Sequence, residues 1–181
     1  MFKPPERLIH EARRGSEDAF LRLFDEHHTA LFRLAWRLAG SVTDAEDIVQ
    51  ECFLSLLKPG CGFDPERTAI RTYLFGAVRN QWLKRLRRRE HGLAPERVEP
   101  RTPETEALRE EAAEAVAAAI AQLPDSQREV LLLAHYEQLS LAEIAEITEL
   151  EVSAVKSRLQ RARATLRETL AAYAPRSERT I

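Results

Sequence analysis

The stretch Ser140-Leu-Ala-Glu-Ile-Ala-Glu-Ile-Thr-Glu-Leu-Glu-Val-Ser-Ala-Val-Lys-Ser-Arg-Leu-Gln-Arg-Ala-Arg-Ala-Thr-Leu166 decides how this chain is read. It opens with a Ser-x-x-Glu capping box, Ser140 to Glu143, in which each residue satisfies the other's orphan amide. A break follows near Thr148–Glu151, and a second helix is predicted from Val152 to Leu170. Val155, Leu159, Ala162 and Leu166 fall at i, i+4, i+7 and i+11 and make one apolar stripe. Ser153, Ser157, Gln160, Arg161 and Ala164 lie opposite, flanked by Lys156, Arg158, Arg163 and Arg167. Small polar residues between two cationic rims suit a helix lying in a DNA major groove. Leu123–Leu170 therefore reads as a helix-turn-helix.

Working outward, the 181 residues are 44% hydrophobic and 31% charged, enough apolar matter for real cores in a soluble protein. Gly is scarce, while Ala, Leu, Glu and Arg abound, which favours helix. No apolar run reaches the roughly 18 residues of a transmembrane span, and Met1–Arg14 lacks a signal-peptide core. The net charge of −2 hides a strong segregation. Arg71–Glu90 carries seven Lys/Arg and one acid, Val152–Leu170 carries five and one, and Thr102–Glu151 between them carries twelve acids and two Arg. Two basic islands leave local electrostatic footprints even when the sum is near zero.

A short helix is expected over 5–14, then a Ser16-capped amphipathic helix to Ala39 with Phe20, Leu23, Phe24, Leu31, Leu34, Ala35 and Leu38 inward. Thr43-Asp-Ala-Glu46 reads as a capping box opening a helix to Leu57. Lys58–Pro65 is a loop on its Gly and Pro content, and a helix is predicted over Thr68–Arg89. Gly92–Pro103, with three prolines, reads as a linker. A helix over Glu104–Leu123 follows, Pro124 interrupts it, and Ser126-Gln-Arg-Glu129 is expected to cap the next. The fold class is all-α, two small helical domains on a tether: 1–91, a linker at 92–103, and 104–181.

Two further faces carry chemistry. On the helix from Asp44, the residues Ala45, Ile48, Val49, Cys52 and Leu56 face inward. Asp44, Asp47, Gln50 and Glu51 surround Leu54 on the outside, either a solvated face or a docking patch with one apolar anchor. On Thr68–Arg89, Leu74, Phe75, Val78, Trp82 and Leu86 pack inward, while Tyr73, Asn80, Lys84 and Arg87 line the outer face. An aromatic, an amide and cations in one row fit base stacking, edge bonding and phosphate contact. The loop before it offers Phe63 as an aromatic for an unstacked base.

In this order the three faces resemble conserved regions 2 (residues 17–90) and 4 (residues 123–170) of the extracytoplasmic-function group of bacterial RNA polymerase sigma factors. Asp44-Ala-Glu-Asp-Ile-Val-Gln-Glu51 resembles the core-polymerase-binding motif. Phe63-Asp-Pro-Glu-Arg67, Arg71-Thr-Tyr-Leu-Phe75 and Val78-Arg-Asn80 resemble the melting and −10-reading segment. Leu123-Pro, Gln127-Arg-Glu-Val-Leu131, Leu141-Ala-Glu-Ile-Ala145 and Val155-Lys-Ser-Arg-Leu159 through Arg163 resemble the −35-reading domain. The resemblance implies that Asp44, Asp47, Gln50, Glu51 and Leu54 bind polymerase. It implies that the loop Cys61–Arg67, with Phe63, holds a flipped base, and that Tyr73, Arg79, Asn80, Lys84, Arg87 and Arg88 meet −10 DNA. It assigns the −35 element to Ser153, Lys156, Ser157, Arg158, Gln160, Arg161 and Arg163; base contact by Lys156 rests on the resemblance alone. Ile70, Tyr73 and Gly76 depart from the family's usual residues, and Gly76 gives up a DNA contact and about 1 kcal/mol of helix propensity.

The implied function is an alternative sigma factor, stress or envelope responsive, cytoplasmic, without enzymatic activity, cofactor or metal. Its partners would be core RNA polymerase, promoter DNA and an anti-sigma factor, with no membrane contact of its own. A stand-alone helix-turn-helix regulator is the rival, but it predicts a dimerisation seam and none is evident. His27-His28 beside Asp25-Glu26 makes no metal site, because adjacent helical residues point about 100° apart. Cys52 and Cys61 are too few for a disulfide scaffold and read as reduced thiols; a redox switch between them is disfavoured by the expected burial of Cys52.

Overall fold

The computed structural model describes residues 5–90 and 107–171, and every regular element among them is a helix. The first half holds α1 (Pro5–Arg13), α2 (Glu17–Ala39), α3 (Val42–Leu57) and α4 (Ile70–Glu90). The second holds α5 (Ala107–Gln122), α6 (Asp125–His135), α7 (Leu141–Thr148) and α8 (Val152–Thr169). The expected linker at 92–103 and the tail beyond 171 lie outside the described residues.

α2 starts where Ser16 Oγ accepts from the Ala19 amide and stops at Gly40, which turns left-handed at φ 69°. Such a turn suits a residue without Cβ. The α2 stripe Leu23, Leu31, Leu34, Ala35 and Leu38 is buried as expected, and Phe20 and Phe24 are half-buried. The two phenylalanines meet Phe53 of α3, which the sequence reading had not placed inward, with ring centroids 6.1 and 5.0 Å away. α3 and α4 add Ile48, Val49, Leu56, Leu74, Phe75, Val78 and Trp82 to the same core. Each fully buried aliphatic side chain contributes about 1.5–3 kcal/mol relative to exposure.

Three helix starts differ from expectation. α3 is capped by Ser41, whose hydroxyl accepts from the Asp44 amide, so Thr43 lies inside the first turn. α4 starts at Ile70, two residues late, because the turn at Asp64–Thr68 takes up the chain before it. α6 starts at Asp125 behind Pro124 with no side-chain cap, so Ser126 does not cap it. The Ser140–Glu143 box is present in both directions, and the two Ser140 hydrogen bonds hold the Glu143 carboxyl below the usual carboxylate range. α7 ends at Glu149, left-handed at φ 56°, which turns the chain sharply into α8. Val155, Leu159 and Ala162 of α8 then pack against Val130, Leu132, Leu133 and Ile144.

The halves are in contact. α4 packs on α7 and α2 on α6. No helix among the described residues is long and apolar enough to cross a membrane, and none of their His, Cys, Asp and Glu cluster as a metal site. Both cysteines are free; burial pushes the Cys52 thiol up to about 12, with the Glu51 charge adding to the effect.

Gly76 sits inside α4, and a Cβ built there would meet nothing within 4 Å. Gly76→Ala is therefore expected to raise stability by about 1 kcal/mol, read as a rise of a few degrees in Tm. His27 is 7% exposed. Burial lowers its pKa below 6.5, Glu26 works the other way and Arg71 adds to the lowering. With the folded value below the unfolded one, its contribution is present above pH 6.5 and lost as pH falls through the depressed value. The stability lost between about pH 7.5 and about pH 5.5 is thus expected to be smaller in His27→Leu than in wild type, by urea midpoints at each pH.

Candidate polymerase and DNA interfaces

On α3, Asp47, Gln50 and Glu51 are exposed, and Leu54 stands between them at 52% exposure. The acids are not bare. Arg85 of α4 reaches Glu51 at 3.4 Å, Asp47 at 3.6 Å and Asp44 at 3.9 Å. Arg89 pairs with Asp44 as well. The patch is therefore an acidic rim already partly neutralised from inside the molecule, around one uncovered leucine. Such a face suits docking on a cationic partner surface with an apolar socket.

Before α4, Phe63 is half-buried and its ring meets Tyr73 edge-on, centroids 5.2 Å apart. The Tyr73 hydroxyl donates to the Cys61 carbonyl at 2.6 Å. Burial pushes the Tyr73 phenol up to about 12, with the Cys61 side chain adding to the effect. Tyr73 is thus turned into the loop, so the outer row read from spacing begins at Asn80 and runs through Lys84 and Arg87, all exposed, and Arg88, assigned by the resemblance, is exposed beside them. Arg87 Nε also donates to the Leu83 carbonyl at 3.3 Å. Tyr73, Gly76, Asn80 and Lys84 line a cleft of about 370 Å³ whose other wall carries Glu146, Ile147 and Glu149 of the α7 end. Arg79 stands apart: its Nε donates to Glu129 of α6 at 2.8 Å, and its side chain is only 15% exposed.

α8 presents Ser153, Lys156, Ser157, Gln160, Arg161 and Arg163 to solvent along one side. The buried stripe fixes that side, because α8 has only one way to bury Val155, Leu159 and Ala162 on α6 and α7. Arg163 Nη2 lies 3.5 Å from His135 Nε2. Arg158 is the exception, donating to Glu129 at 3.4 Å.

Two carboxylates of the second half thus take up cations of the first. Glu137, in the turn after α6, has no exposed side-chain surface. It accepts both Arg33 nitrogens, Nε at 3.0 Å and Nη2 at 2.9 Å. That bond holds the Arg33 guanidinium above the ordinary arginine range against the opposing effect of burial. Arg71 Nη2 donates to the Glu137 carbonyl at 2.5 Å and lies 4.0 Å from its carboxylate. Glu129, 4% exposed in its side chain, holds Arg79 and Arg158 together. The Arg37 guanidinium lies 3.9 Å over the Tyr136 ring, and Arg128 Nη2 donates to the Leu38 carbonyl at 3.4 Å.

Sequence reasoning missed Arg85 and Arg89 as partners of the acidic face and Glu137 altogether. It placed Glu129 only as a cap. A lone acid beside the apolar run Val130–Leu133 was the available signal for Glu129. Glu137 carries none in its local pattern.

Comparison with known proteins adds an independent finding. Residues 23–91 match the model for sigma-70 region 2, and residues 113–166 match that for sigma-70 region 4. The sigma factor SigL of Mycobacterium tuberculosis is 36% identical over 163 residues, covering 86% of this chain and 92% of that protein. SigW of Bacillus subtilis is 29% identical over 180 residues, covering 91% and 96%. Among solved structures, CnrH in complex with the cytosolic domain of CnrY superposes with a TM-score of 0.68 at 31% identity, covering 91% of this chain and 96% of that one; a CnrH is known from Cupriavidus metallidurans. The sigma factor RpoE of Bartonella quintana, solved with the anti-sigma factor NepR, shares the fold at a TM-score of 0.68 and 24% identity, covering 84% and 96%. The acidic face on α3, the basic α4 and the one-sided α8 follow one another in the order of those regions, and the chain belongs to the extracytoplasmic-function sigma factors of the sigma-70 family.

Proposed function

We propose that the chain is an alternative sigma factor that binds core RNA polymerase and directs initiation at promoters with −10 and −35 elements. One observation carries the reading: a single chain matches both sigma-70 regions, and the outward rows of α4 and α8 fall inside them. In this reading residues 1–91 and 104–181 are the working domains and 92–103 joins them. The protein lends specificity to an enzyme without being one, and works in the cytoplasm, where it answers a stress or envelope signal.

Polymerase docks on Leu54 and Gln50, with Asp44, Asp47 and Glu51 exchanging their internal guanidinium partners for cations of the polymerase. Asn80 touches −10 bases, and Lys84, Arg87 and Arg88 hold backbone phosphates, whose charge is matched without regard to sequence. The loop with Phe63 and Tyr73 receives an unstacked base, which offsets a few kcal/mol of unstacking. Ser153, Lys156, Ser157, Gln160 and Arg161 read the −35 major groove, and Arg158 and Arg163 grip its phosphates. With one domain bound, the tether raises the effective concentration of the other at its element. A protein of the anti-sigma kind is the further partner we propose; the complex of CnrH with the cytosolic domain of CnrY supports it.

Purified core polymerase on a library of promoter templates is the direct test. Templates transcribed only with the protein added, sharing two motifs at fixed spacing, are expected. Tight palindromic binding by the protein alone, with no stimulation of core, would overturn the reading. Arg161→Ala is expected to weaken −35-dependent transcription by about 1–3 kcal/mol, roughly 5- to 150-fold. Equal losses on the promoter and on a template with a scrambled −35 element would remove Arg161 from base reading.

A further inference from the structure

The acidic face of α3 and the basic face of α4 share two arginines. Arg85 stands among Asp44, Asp47 and Glu51, at 3.9, 3.6 and 3.4 Å. Arg89, one turn further along α4, pairs with Asp44. Arg85 is only 19% exposed, whereas Arg88 on the same helix is open to solvent. Residues three and four apart are neighbours on a helix surface, so Arg85 lies beside both Arg88 and Arg89. A long guanidinium side chain can therefore swing from an α3 carboxylate to a phosphate beside Arg88 while the helix stays in place. The α3 acids do not hold it tightly. Asp47 and Glu51 keep about half of their side-chain surface in water, and ion pairs so exposed contribute little to stability. Carboxylate and phosphate are also matched acceptors for the same guanidinium fork, so each arginine serves one or the other.

We propose that Arg85 and Arg89 are reserve DNA-backbone contacts: in the free chain the α3 acids hold them, and a partner that brings its own cations to Asp44, Asp47 and Glu51 releases them to the phosphates beside Arg88. The identity of that partner as polymerase rests on the sigma reading; the competition between acid and phosphate for one guanidinium does not. Docking on α3 thus adds two cations to the DNA-facing side of α4 without any new residue. The coupling runs both ways, because DNA that holds the released arginines strengthens docking by the same factor. In the free chain the acids stand in for phosphate, so two of the α4 arginines are withheld from DNA.

The test removes the acids and asks where the arginines go. Asp44→Asn, Asp47→Asn and Glu51→Gln in one full chain keep side-chain shape and remove all three anions. Fluorescence anisotropy reads binding to a labelled random-sequence duplex over a range of salt, without polymerase. The triple variant is expected to bind more tightly than wild type, with log K falling against log salt more steeply by about one unit for each released arginine. Losing three anions favours DNA by itself, so the same triple is made in an Arg85→Gln, Arg89→Gln background, where the added steepness is expected to vanish. Equal steepening in both backgrounds, or none in the first, overturns the proposal. If the triple variant loses helicity by circular dichroism, Asp47→Asn with Glu51→Gln replaces it, because both acids are exposed; it is judged by the same criterion against an Arg85→Gln background. A second arm adds core polymerase. Arg85→Gln with Arg89→Gln is expected to lower the salt slope of the polymerase complex on its promoter by about two units, and an unchanged slope overturns the handover. A wild-type chain that binds no core overturns the sigma reading instead, and the polymerase-free arm still decides the competition.

Discussion

A carboxylate stripped of its water must be met by positive charge, and two such groups govern how this molecule is put together. Removing one partner of a buried pair typically destabilises by about 3–5 kcal/mol, because the remaining charge is left stranded. Glu137 with its two-point grip on Arg33, and Glu129 between Arg79 and Arg158, therefore tolerate few alternative placements of the halves. Apolar contact alone would be less selective. Arg37 stacked on Tyr136 and Arg128 reaching the α2 carbonyls fill in around these anchors. The same arginine-rich α4 that suits a nucleic acid here serves as a protein-binding surface.

Within each half, more ordinary rules suffice. Serine hydroxyls at 16, 41 and 140 start helices by accepting orphan amides. Gly40 and Glu149 end them by turning left-handed. The stripes of α2, α3 and α8 then leave one orientation each. That orientation determines which residues face solvent, so the exposure of Leu54, Asn80 and Arg161 is a by-product of what is buried behind them.

The all-α class, most helix ends and the buried stripes of α2, α3, α4 and α8 could be read from the sequence, because caps and a 3.6-residue period are local signals; the buried residues of α1, α6 and α7, such as Ile9, Leu132 and Ile144, were not among those read. Where local signals competed, reading failed. Ser41 and Thr43 both offered a hydroxyl, and only the neighbouring backbone decides between them. Pro124 took the N-cap position of α6 without a side-chain cap, which left Ser126 inside the first turn. Tyr73 satisfied the spacing of the outer row, yet its hydroxyl found the Cys61 carbonyl twelve residues away. The candidate faces were legible as charge segregation. Their internal neutralisation was not, since the pairing of Arg85 with Glu51, or of Arg33 with Glu137, spans 34 and 104 residues and leaves no periodic trace.

The depth of Glu137 and Glu129 has one more consequence, which concerns ionic strength. Mobile ions screen charges that they can approach, and a carboxylate without solvent contact is screened little. Attraction to a DNA backbone, in contrast, falls steeply as salt rises, because binding depends on releasing condensed counterions. Salt therefore acts unevenly on this chain, weakening contacts with a DNA backbone far more than the buried pairs that join its halves.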